Sequence, residues 1–481
     1  MSEEGTSADQ RPEERLDDDY TPDPRRWRIL GVTLVVGFMS LLDVTIVNVA
    51  IPSMQEGLGT SAGTIQWVVS GYALAFGLTL VAGGRLGDAY GRRRLMLIGL
   101  TGFILSSAAV GLAPNTATVI AARLAQGATA GLLTPQNSGL IQQLFRGPER
   151  GRAFGAFGFT VSLSSALGPV LGGAIIALAG EEEGWRWLFL VNVPIGLAAL
   201  VAIAVIVPGP DRRDDSGTWI DVPGALLLGG AVLCVLFPLV SLESGALLPL
   251  VLLAGAPAFG WAFVRWEARL RRQGRPPLLD VGLLRTLPGY STGMAIGTLY
   301  FTGFTGIFLV LSVHLQGELG LSPLAAGALT TPFAAGAAVT APLAGRLVSQ
   351  AGRTLTVVAL VTMMTGTALT AWLAPGFDDG RIWMALVPCL LLAGLGGGGV
   401  ISPNFTLTLA EVPPRMGGAA GAALQTGQRI GSSLGAALLM TTYGIAMGPF
   451  GGEGALRAAL LASLAVLSLA LAAAVWSRRH E

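Results

Sequence analysis

The chain has 481 residues, of which 52% are hydrophobic and only 12% charged, and its mean hydropathy is +0.64. A soluble domain carries about 25% charged residues, so the composition excludes a water-soluble globular protein and indicates a polytopic membrane protein. The formal net charge is +1 and the arginines are spread over short loops, which excludes a nucleic-acid-binding face, and two cysteines far apart with two histidines give no metal-ligand spacing.

Apolar stretches divide the chain into segments of membrane length. A bilayer core takes about 20 apolar residues per crossing, and the chain contains fourteen such stretches. We predict spans at 29–51, 63–83, 95–113, 117–142, 153–179, 186–207, 219–240, 246–264, 289–313, 323–347, 354–374, 382–410, 417–446 and 455–476. The chain is therefore expected to be an all-α polytopic membrane protein.

Arginine placement predicts the side of the membrane that each loop faces. With these spans, 25 of the 30 basic residues lie in the two tails and in alternate loops, whereas the opposite loops hold Arg186, Arg381 and Arg457. Cytoplasmic loops carry the excess of positive charge. We therefore predict a multi-pass protein of the inner (cytoplasmic) membrane, with both termini in the cytoplasm and a basic inner face toward anionic membrane lipids.

A glycine- and arginine-rich loop follows span 2 and has a shorter copy in the second half. GRLGDAYGRRR (84–94) holds Asp88 among four arginines, and GRLVSQAGR (345–353) repeats the glycine and arginine spacing 261 residues later. A shared motif in two apolar halves is typical of a duplicated transporter. We therefore predict two six-helix bundles, with spans 7 and 8 inserted between them.

This organisation fixes the predicted boundaries. They are a disordered cytoplasmic N-terminal tail (1–24), an N-terminal six-helix bundle (25–210), two additional transmembrane helices (211–265), a cytoplasmic linker (266–288), a C-terminal six-helix bundle (289–476) and a cytoplasmic C-terminal tail (477–481).

Two opposite charges lie at similar depth in the first bundle. Asp43 is about 14 residues into span 1, and Arg123 is about six residues into span 4 from the outer side, which puts each roughly 9 Å from the outer face of a ~30 Å core. A charge at the centre of an isolated helix costs about 2.5–3.5 kcal/mol, so both should face the bundle interior. We predict proton coupling, with Asp43 as the carrier and Arg123 controlling its charge. A static ion pair between spans 1 and 4 is the alternative.

Span 5 contains a proline among small residues. Residues four apart that are small allow helices to approach closely, and a proline inside a helix removes a backbone hydrogen bond and bends it. Span 13 repeats the spacing at Gly431 and Gly435. We expect a bend and a close helix contact in span 5 at Gly168, Pro169, Gly172 and Gly173.

Polar side chains within the spans indicate a substrate cavity. Arg429 is about 12 residues into span 13, and the second half has no acidic residue at that depth. An unpaired arginine in the membrane indicates a cavity or an anionic ligand group; capping of backbone carbonyls or binding of water is the alternative. The candidate substrate-cavity residues are Asn48, Gln126, Gln425 and Arg429.

The start of span 6 has a different, structural interpretation. It carries two tryptophans, Trp185 and Trp187, followed by Asn192 and Pro194. Tryptophans at a span end are typical of an interfacial aromatic belt. We expect a belt followed by a polar kink, without a functional role.

These motifs together resemble the major facilitator superfamily, specifically its fourteen-helix drug:proton antiporter family. The resemblance covers about residues 25–476. It rests on LDVTIVNVAIP (42–52), GRLGDAYGRRR (84–94), RLAQG (123–127), GPVLGG (168–173) and WRWLFLVNVPIG (185–196).

The resemblance implies roles for several of these residues. It implies a major facilitator fold with a conformational latch at Gly84, Asp88, Gly91 and Arg92, and proton transfer at the helix 4 motif that contains Arg123. It implies an antiporter hinge, sealed against proton leak, at Gly168, Pro169, Gly172 and Gly173. The chain departs from the family pattern in two places: Ser349 stands where Asp88 stands in the first half, and the helices that carry acids in some relatives carry none here. The charge of the substrate therefore stays open.

We expect a proton-coupled efflux antiporter that exports lipophilic drugs or antibiotics by alternating access. The partners are a small lipophilic substrate, protons and membrane lipids; no cofactor or metal is expected, the proton gradient supplies the energy, and we expect a monomer. A proton-coupled symporter for peptides or other small nutrients is the alternative, which the helix 5 motif disfavours. A membrane scaffold or receptor would not require two intramembrane charges, and an enzyme is disfavoured because no nucleophile set or nucleotide loop is present.

Overall fold

The computed structural model describes residues 22–60, 62–180, 182–209, 221–241, 247–275, 278, 282–374 and 381–480. The regular structure in these ranges is helical, which confirms the all-α prediction. Most of the predicted N-terminal tail lies outside them. The helices are α1 (Arg26–Gly57), α2 (Ala62–Tyr90), α3 (Arg92–Gly111), α4 (Thr116–Leu144), α5 (Gly147–Ala179), α6 (Gly184–Leu190), α7 (Asn192–Ile206), α8 (Val222–Ser241), α9 (Leu247–Arg272), α10 (Leu283–Thr286), α11 (Pro288–Gly317), α12 (Pro323–Leu373), α13 (Ile382–Thr408) and α14 (Gly417–Arg478).

Two of these helices are far longer than a bilayer is thick, and each contains a glycine break. α12 has 51 residues and α14 has 62, so straight helices would extend roughly 75 and 95 Å at about 1.5 Å per residue. Gly352 (φ 51°) interrupts α12 and Gly451 (φ 65°) interrupts α14. A positive φ is open to glycine at little cost. The predicted spans 10 and 11 flank the first break, and spans 13 and 14 flank the second.

The surface of the helix assembly is apolar, as in a protein that faces lipid. Nine helices in the described part of the chain are long and apolar enough to cross a membrane. Large apolar side chains such as Leu178, Val205 and Ile445 are largely exposed on the outside. In lipid these groups need no burial, and helices satisfy their backbone hydrogen bonds internally.

The helices pack as two halves with two helices beside them. α1 to α7 form the apolar cores of the first half, and α11 to α14 form that of the second. α2 and α4 contact α14, and α5 contacts α12 and α13, so these six helices make the interface between the halves. α8 and α9 pack on each other, and α8 lies against α2 and α14.

The end of α9 differs from the predicted end of span 8. The helix continues to Arg272, eight residues past the predicted limit at 264 and into the predicted linker. The prediction followed apolarity, which stops there, whereas Glu, Ala, Arg and Leu in the continuation are good helix formers. Trp266 of this continuation donates its Nε1–H to Asp221 Oδ1 at 2.8 Å, just before α8 begins. This hydrogen bond joins the arginine-rich end of α9 to the residue that precedes α8.

Candidate functional site

Asp43 and Arg123 form a buried ion pair between α1 and α4. Asn115 caps α4 by accepting the backbone N–H of Thr118 at 2.9 Å, and Arg123 follows about two turns later. Its Nη1 donates to Asp43 Oδ2 at 2.6 Å, and each residue is 1% exposed. The structure thus brings together the two charges that the sequence places at one depth.

The second oxygen of Asp43 accepts hydrogen bonds from two amide side chains. Gln126 donates from Nε2 at 3.0 Å, and Asn192 donates from Nδ2 at 3.1 Å, both to Oδ1. Gln126 Nε2 also donates to Ser107 Oγ at 2.7 Å. Donors from α4 and α7 therefore surround a carboxylate of α1.

Two amide residues of this network have a different interpretation from the sequence. Gln126 is fully buried and its Oε1 accepts from Arg123 Nη1 at 2.7 Å, so in this structure it belongs to the charge network, and its place in a substrate cavity stays a prediction. Residues three apart share a helix face, which puts Gln126 beside Arg123. Asn192, interpreted from the sequence as part of a kink, contributes a donor to Asp43; the available signal was an amide inside an otherwise apolar span.

Trp185 also lies elsewhere than predicted. It is fully buried and packs edge-on against Phe189 with ring centroids 6.4 Å apart, whereas Trp187 is 56% exposed. Residues two apart point to opposite sides of a helix, so only one of the pair can face the lipid boundary. Trp185 therefore lies in the protein interior and not in an aromatic belt, and the place of Trp187 in such a belt stays a prediction.

The far side of the Arg123 guanidinium is held by α2. Its Nε donates to the Val68 carbonyl at 3.0 Å, and the guanidinium carbon lies 4.2 Å from the centre of the Tyr72 ring. Phe189 approaches from α6 at 5.4 Å. Arg123 is thus positioned by a carbonyl and two ring faces, interactions that persist without Asp43. Protonation of Asp43 would remove one charge of the pair and leave the arginine in place.

The predicted hinge in α5 contacts α1 two residues after Asp43. The Thr45 hydroxyl donates to the Ser164 carbonyl at 3.1 Å, and a Cβ on Gly168 would collide with that hydroxyl. Gly172 is buried, and Gly173 has open space where a Cβ would point. The side chain of Pro169 lies outside the described atoms. Glycine at 168 therefore allows α5 to lie directly against the helix that carries the carboxylate.

The predicted latch joins the two halves at one end of the assembly. Asp88 accepts backbone N–H groups of Gly418 at 3.1 Å and Ala419 at 2.8 Å, and Arg92 Nη2 at 2.7 Å. The first N–H groups of a helix have no partner inside the helix, and a negative charge is favoured at that end. Asp88 of the first half therefore caps α14 of the second half.

Further contacts at the same end reinforce the latch. Arg92 Nη2 also donates to the Pro414 carbonyl at 3.2 Å, and Gln142 Nε2 donates to the Leu409 carbonyl at 2.7 Å. Gly91, with φ 89°, makes the turn between α2 and α3 that brings Arg92 back toward Asp88. The two halves are closed together at the arginine-rich end.

The duplicated loop makes a matching contact in the opposite direction. A Cβ on Gly84 would lie 2.5 Å from the Gly418 carbonyl oxygen, and a Cβ on Gly151 would lie 2.5 Å from the Gly345 carbonyl oxygen. Gly84 and Gly345 are the equivalent glycines of the two loops. The close packing is therefore repeated across the interface, whereas the Asp88 bonds have no counterpart at Ser349, whose side chain has no carboxylate to cap a helix.

The second copy of the loop anchors its arginine within its own half. Arg353 is fully buried and donates from Nη1 to Asn404 Oδ1 at 3.0 Å and from Nη2 to the Gly289 carbonyl at 3.3 Å. Asn404 Nδ2 in turn donates to the Gly293 carbonyl at 3.0 Å. In the second half the arginine of the loop therefore braces α11 and α13.

The remaining predicted cavity residues lie on α1 and α14. The side chain of Asn48 is outside the described atoms. Gln425 is buried, and the Arg429 guanidinium lies 4.7 Å from the centre of the Phe76 ring of the first half. In the part of the chain that the structure describes, no group of His, Cys, Asp and Glu side chains is arranged to hold a metal ion.

Comparison with known proteins agrees with this architecture. Residues 33–436 match the family model described as Major Facilitator Superfamily. The chain is 37% identical over 426 residues to the probable actinorhodin transporter of Streptomyces coelicolor, covering 88% of this chain and 73% of that protein. It is 38% identical over 424 residues to the puromycin resistance protein pur8 of Streptomyces alboniger, covering 87% and 82%.

The fold is shared with a solved structure of distant sequence. The crystal structure of the human organic anion transporter MFSD10 (TETRAN) superposes with a TM-score of 0.70 at 17% identity, covering 94% of this chain and all of that one. At that identity the likeness shows the fold alone. The family match confirms the resemblance seen in the sequence and places the chain among transporters, not enzymes. The chain belongs to the Major Facilitator Superfamily of membrane transporters.

Proposed function

We propose that this chain is a proton-coupled antiporter that exports lipophilic drugs or antibiotics across the cytoplasmic membrane by alternating access. The observation that carries the proposal is the buried Asp43–Arg123 pair with its amide donors. A buried ion pair adds little to the stability of a protein. A carboxylate that can exchange its arginine contact for a proton instead gives the bundle two states, one protonated and one ionised. The relatives named for actinorhodin transport and puromycin resistance support outward movement of the substrate.

The proposed topology has fourteen crossings. α1 to α5 supply five, α6 with α7 one, and α8, α9, α11 and α13 one each, and the breaks at Gly352 and Gly451 let α12 and α14 supply two each. The arginine-rich loops then lie in the cytoplasm together with both termini. In this topology the latched end is cytoplasmic, and the state described here is closed to the inside.

In the proposed cycle Asp43 binds and releases the proton. When the transporter faces out, a proton reaches Asp43 from outside, which cancels its charge and weakens its bonds to Arg123, Gln126 and Asn192. When it faces in, the proton leaves to the cytoplasm as substrate binds, and the carboxylate recovers its donors. The contact of Thr45 with the glycine-rich segment of α5 passes this change to the hinge.

The energy comes from the proton gradient. A membrane potential of ~100 mV contributes about 2.3 kcal/mol per charge moved, which corresponds to about 50-fold accumulation for one proton. Lipids surround the apolar exterior, and the two halves of one chain contain every group the cycle uses, so we propose a monomer.

Inside-out membrane vesicles test the proposal directly. Respiration acidifies their lumen, and puromycin or actinorhodin added outside should release protons from the lumen if the chain exchanges protons for substrate. The Asp43→Asn variant should lose this release, whereas Glu183→Gln, which removes an exposed carboxylate paired with Arg186, should retain it. Proton release that is unchanged in Asp43→Asn would contradict the proposal.

The same vesicles separate the antiporter from the symporter. A symporter would carry protons into the lumen together with the added substrate, so the lumen would become more acidic instead of less. The sign of the pH change after substrate addition therefore decides between the two.

A further inference from the structure

Arg429 lies at the interface of the two halves, where none of the described acidic side chains forms an ion pair with it. It lies on α14, and its guanidinium rests on the face of Phe76 from α2 at 4.7 Å. The side chain is partly exposed, and in the described residues no hydrogen bond or ion pair engages it. The ring contact rather than a backbone carbonyl is what holds it, and a cation on a ring face keeps its N–H donors free at the edges.

Gln425 adds a second unused donor on the same face of α14. It precedes Arg429 by four residues, and residues at that spacing are neighbours on a helix surface. Gln425 is 7% exposed, and its Nε2 has no hydrogen-bond partner in the described part of the chain. A buried donor without an acceptor destabilises the protein, because it has lost its hydrogen bonds to water. The cost is recovered when a ligand supplies an acceptor.

A stack of aromatic rings connects this position to the Asp43 network. The Phe76 ring stacks on Tyr72 with centroids 6.2 Å apart and planes inclined by 19°, and Tyr72 carries the Arg123 guanidinium on its face. Arg429 and Arg123 are therefore separated by two rings of α2. A group bound at Arg429 lies beside aromatic surface and close to the carboxylate that we propose to exchange protons.

We propose that Arg429 and Gln425 form an anion-binding subsite, and that the exported substrate is an aromatic compound bearing a carboxylate or an ionised phenol. This rests on the proposed export function and names its substrate class. A guanidinium binds a planar carboxylate through two parallel hydrogen bonds, Gln425 supplies a third donor, and the rings of α2 accept an aromatic framework by stacking. A cationic substrate would meet a like charge here that none of the described acidic side chains neutralises, because Asp43 is already bound to Arg123.

The proposal has an electrical consequence. Outward movement of one anion and inward movement of one proton transfer two charges in the same sense across the membrane. At ~100 mV each charge contributes about 50-fold to the substrate gradient, so an anion would be accumulated about 50-fold further than a neutral compound exchanged for one proton.

Equilibrium binding to the full-length chain in lipid nanodiscs tests the subsite. The probes are pyrenebutyrate, its methyl ester and pyrenebutyl-trimethylammonium, which share an aromatic framework and differ in charge. Wild type should bind the anion at least ~10-fold more tightly than the trimethylammonium compound, since the guanidinium forms charge-assisted hydrogen bonds with a carboxylate and repels a cation. Arg429→Gln should weaken anion binding ~10-fold or more while changing ester binding by less than ~2-fold.

Further variants separate charge recognition from general damage. Arg429→Lys keeps the positive charge but cannot form two parallel hydrogen bonds with a carboxylate. Its anion affinity should therefore lie between those of wild type and Arg429→Gln. Gln425→Leu should weaken anion binding several-fold. Arg457→Gln is the matched control, because this arginine lies further along α14 and donates to the Ala371 carbonyl at 3.3 Å, so its loss should leave all three affinities unchanged.

Equal losses for the three probes in Arg429→Gln, or no loss at all, would overturn the subsite. The measurement uses no proton gradient. Its result is therefore independent of the vesicle experiment, and either the subsite or the proton coupling can fail while the other holds.

Discussion

The Asp88 carboxylate accepts the backbone N–H of Ala419 at 2.8 Å, although 331 residues separate the two along the chain. The same carboxylate accepts the N–H of Gly418 and the guanidinium of Arg92. One side chain of the first half thus satisfies the free N–H groups of a helix of the second half. This single carboxylate makes the interface between the halves sensitive to charge.

Asp88→Asn should therefore open the latched end. The asparagine keeps the size but loses the negative charge, and hydrogen bonds to a charged group contribute about 1.5–3 kcal/mol, so the ratio of closed to open molecules should fall ~10-fold or more. Spin labels at Gln143→Cys and Glu411→Cys, exposed positions of opposite halves at this end, measure the opening in a chain whose native cysteines are replaced by alanine. Distance distributions identical to those of the parent would contradict the assigned latch.

The glycine contacts should control the same equilibrium through packing. Gly84→Ala introduces a Cβ 2.5 Å from the Gly418 carbonyl oxygen. Because this oxygen belongs to the backbone, the clash can be relieved only if α2 and α14 move apart. Overpacking of this kind costs typically 1–3 kcal/mol, so the spin-label distance should lengthen. The equivalent Gly345→Ala should act alike. Gly444→Ala is the control, because nothing lies within 4 Å of its Cβ position and alanine favours the helix; equal behaviour of all three variants would contradict the packing argument.

Asn192→Leu tests a member of the charge network that the sequence did not reveal. Loss of its hydrogen bond to Asp43 Oδ1 should lower substrate-driven proton release ~10-fold, because the ionised carboxylate loses one of its three donor groups. The interaction acts through Asp43, so in an Asp43→Asn background, which no longer releases protons, Asn192→Leu should leave gradient-free exchange of substrate unchanged. A loss of exchange in that background, measured in proteoliposomes, would show that Asn192 acts only on folding.

The sequence predicts much of this architecture because membrane spans obey simple rules. Apolar runs locate the helices, and charges within them stand out, so Asp43 and Arg123 could be paired by depth alone. The loop repeat at Gly84 and Gly345 locates the two halves, and the structure shows the matching packing. These features depend on composition and spacing, which a linear sequence displays.

The contacts that the sequence does not show depend on which side of a helix faces which neighbour. Polarity alone does not distinguish a buried network, such as the one that contains Gln126, from a water-lined wall. Asn192 was missed because its partner lies 149 residues away, and only packing of α7 against α1 brings them together. The Phe76 ring beneath Arg429 likewise comes from the other half of the chain, which no local pattern shows.

The central claim is that Asp43 carries the proton, and one comparison in reconstituted proteoliposomes tests it most directly. Two modes are measured with the same labelled actinorhodin: accumulation driven by an imposed pH gradient, and exchange of labelled for unlabelled compound without a gradient. Asp43→Asn should abolish the driven accumulation while exchange continues, because a neutral side chain at 43 permits the conformational change but carries no proton. Accumulation at the wild-type level in Asp43→Asn would contradict the account.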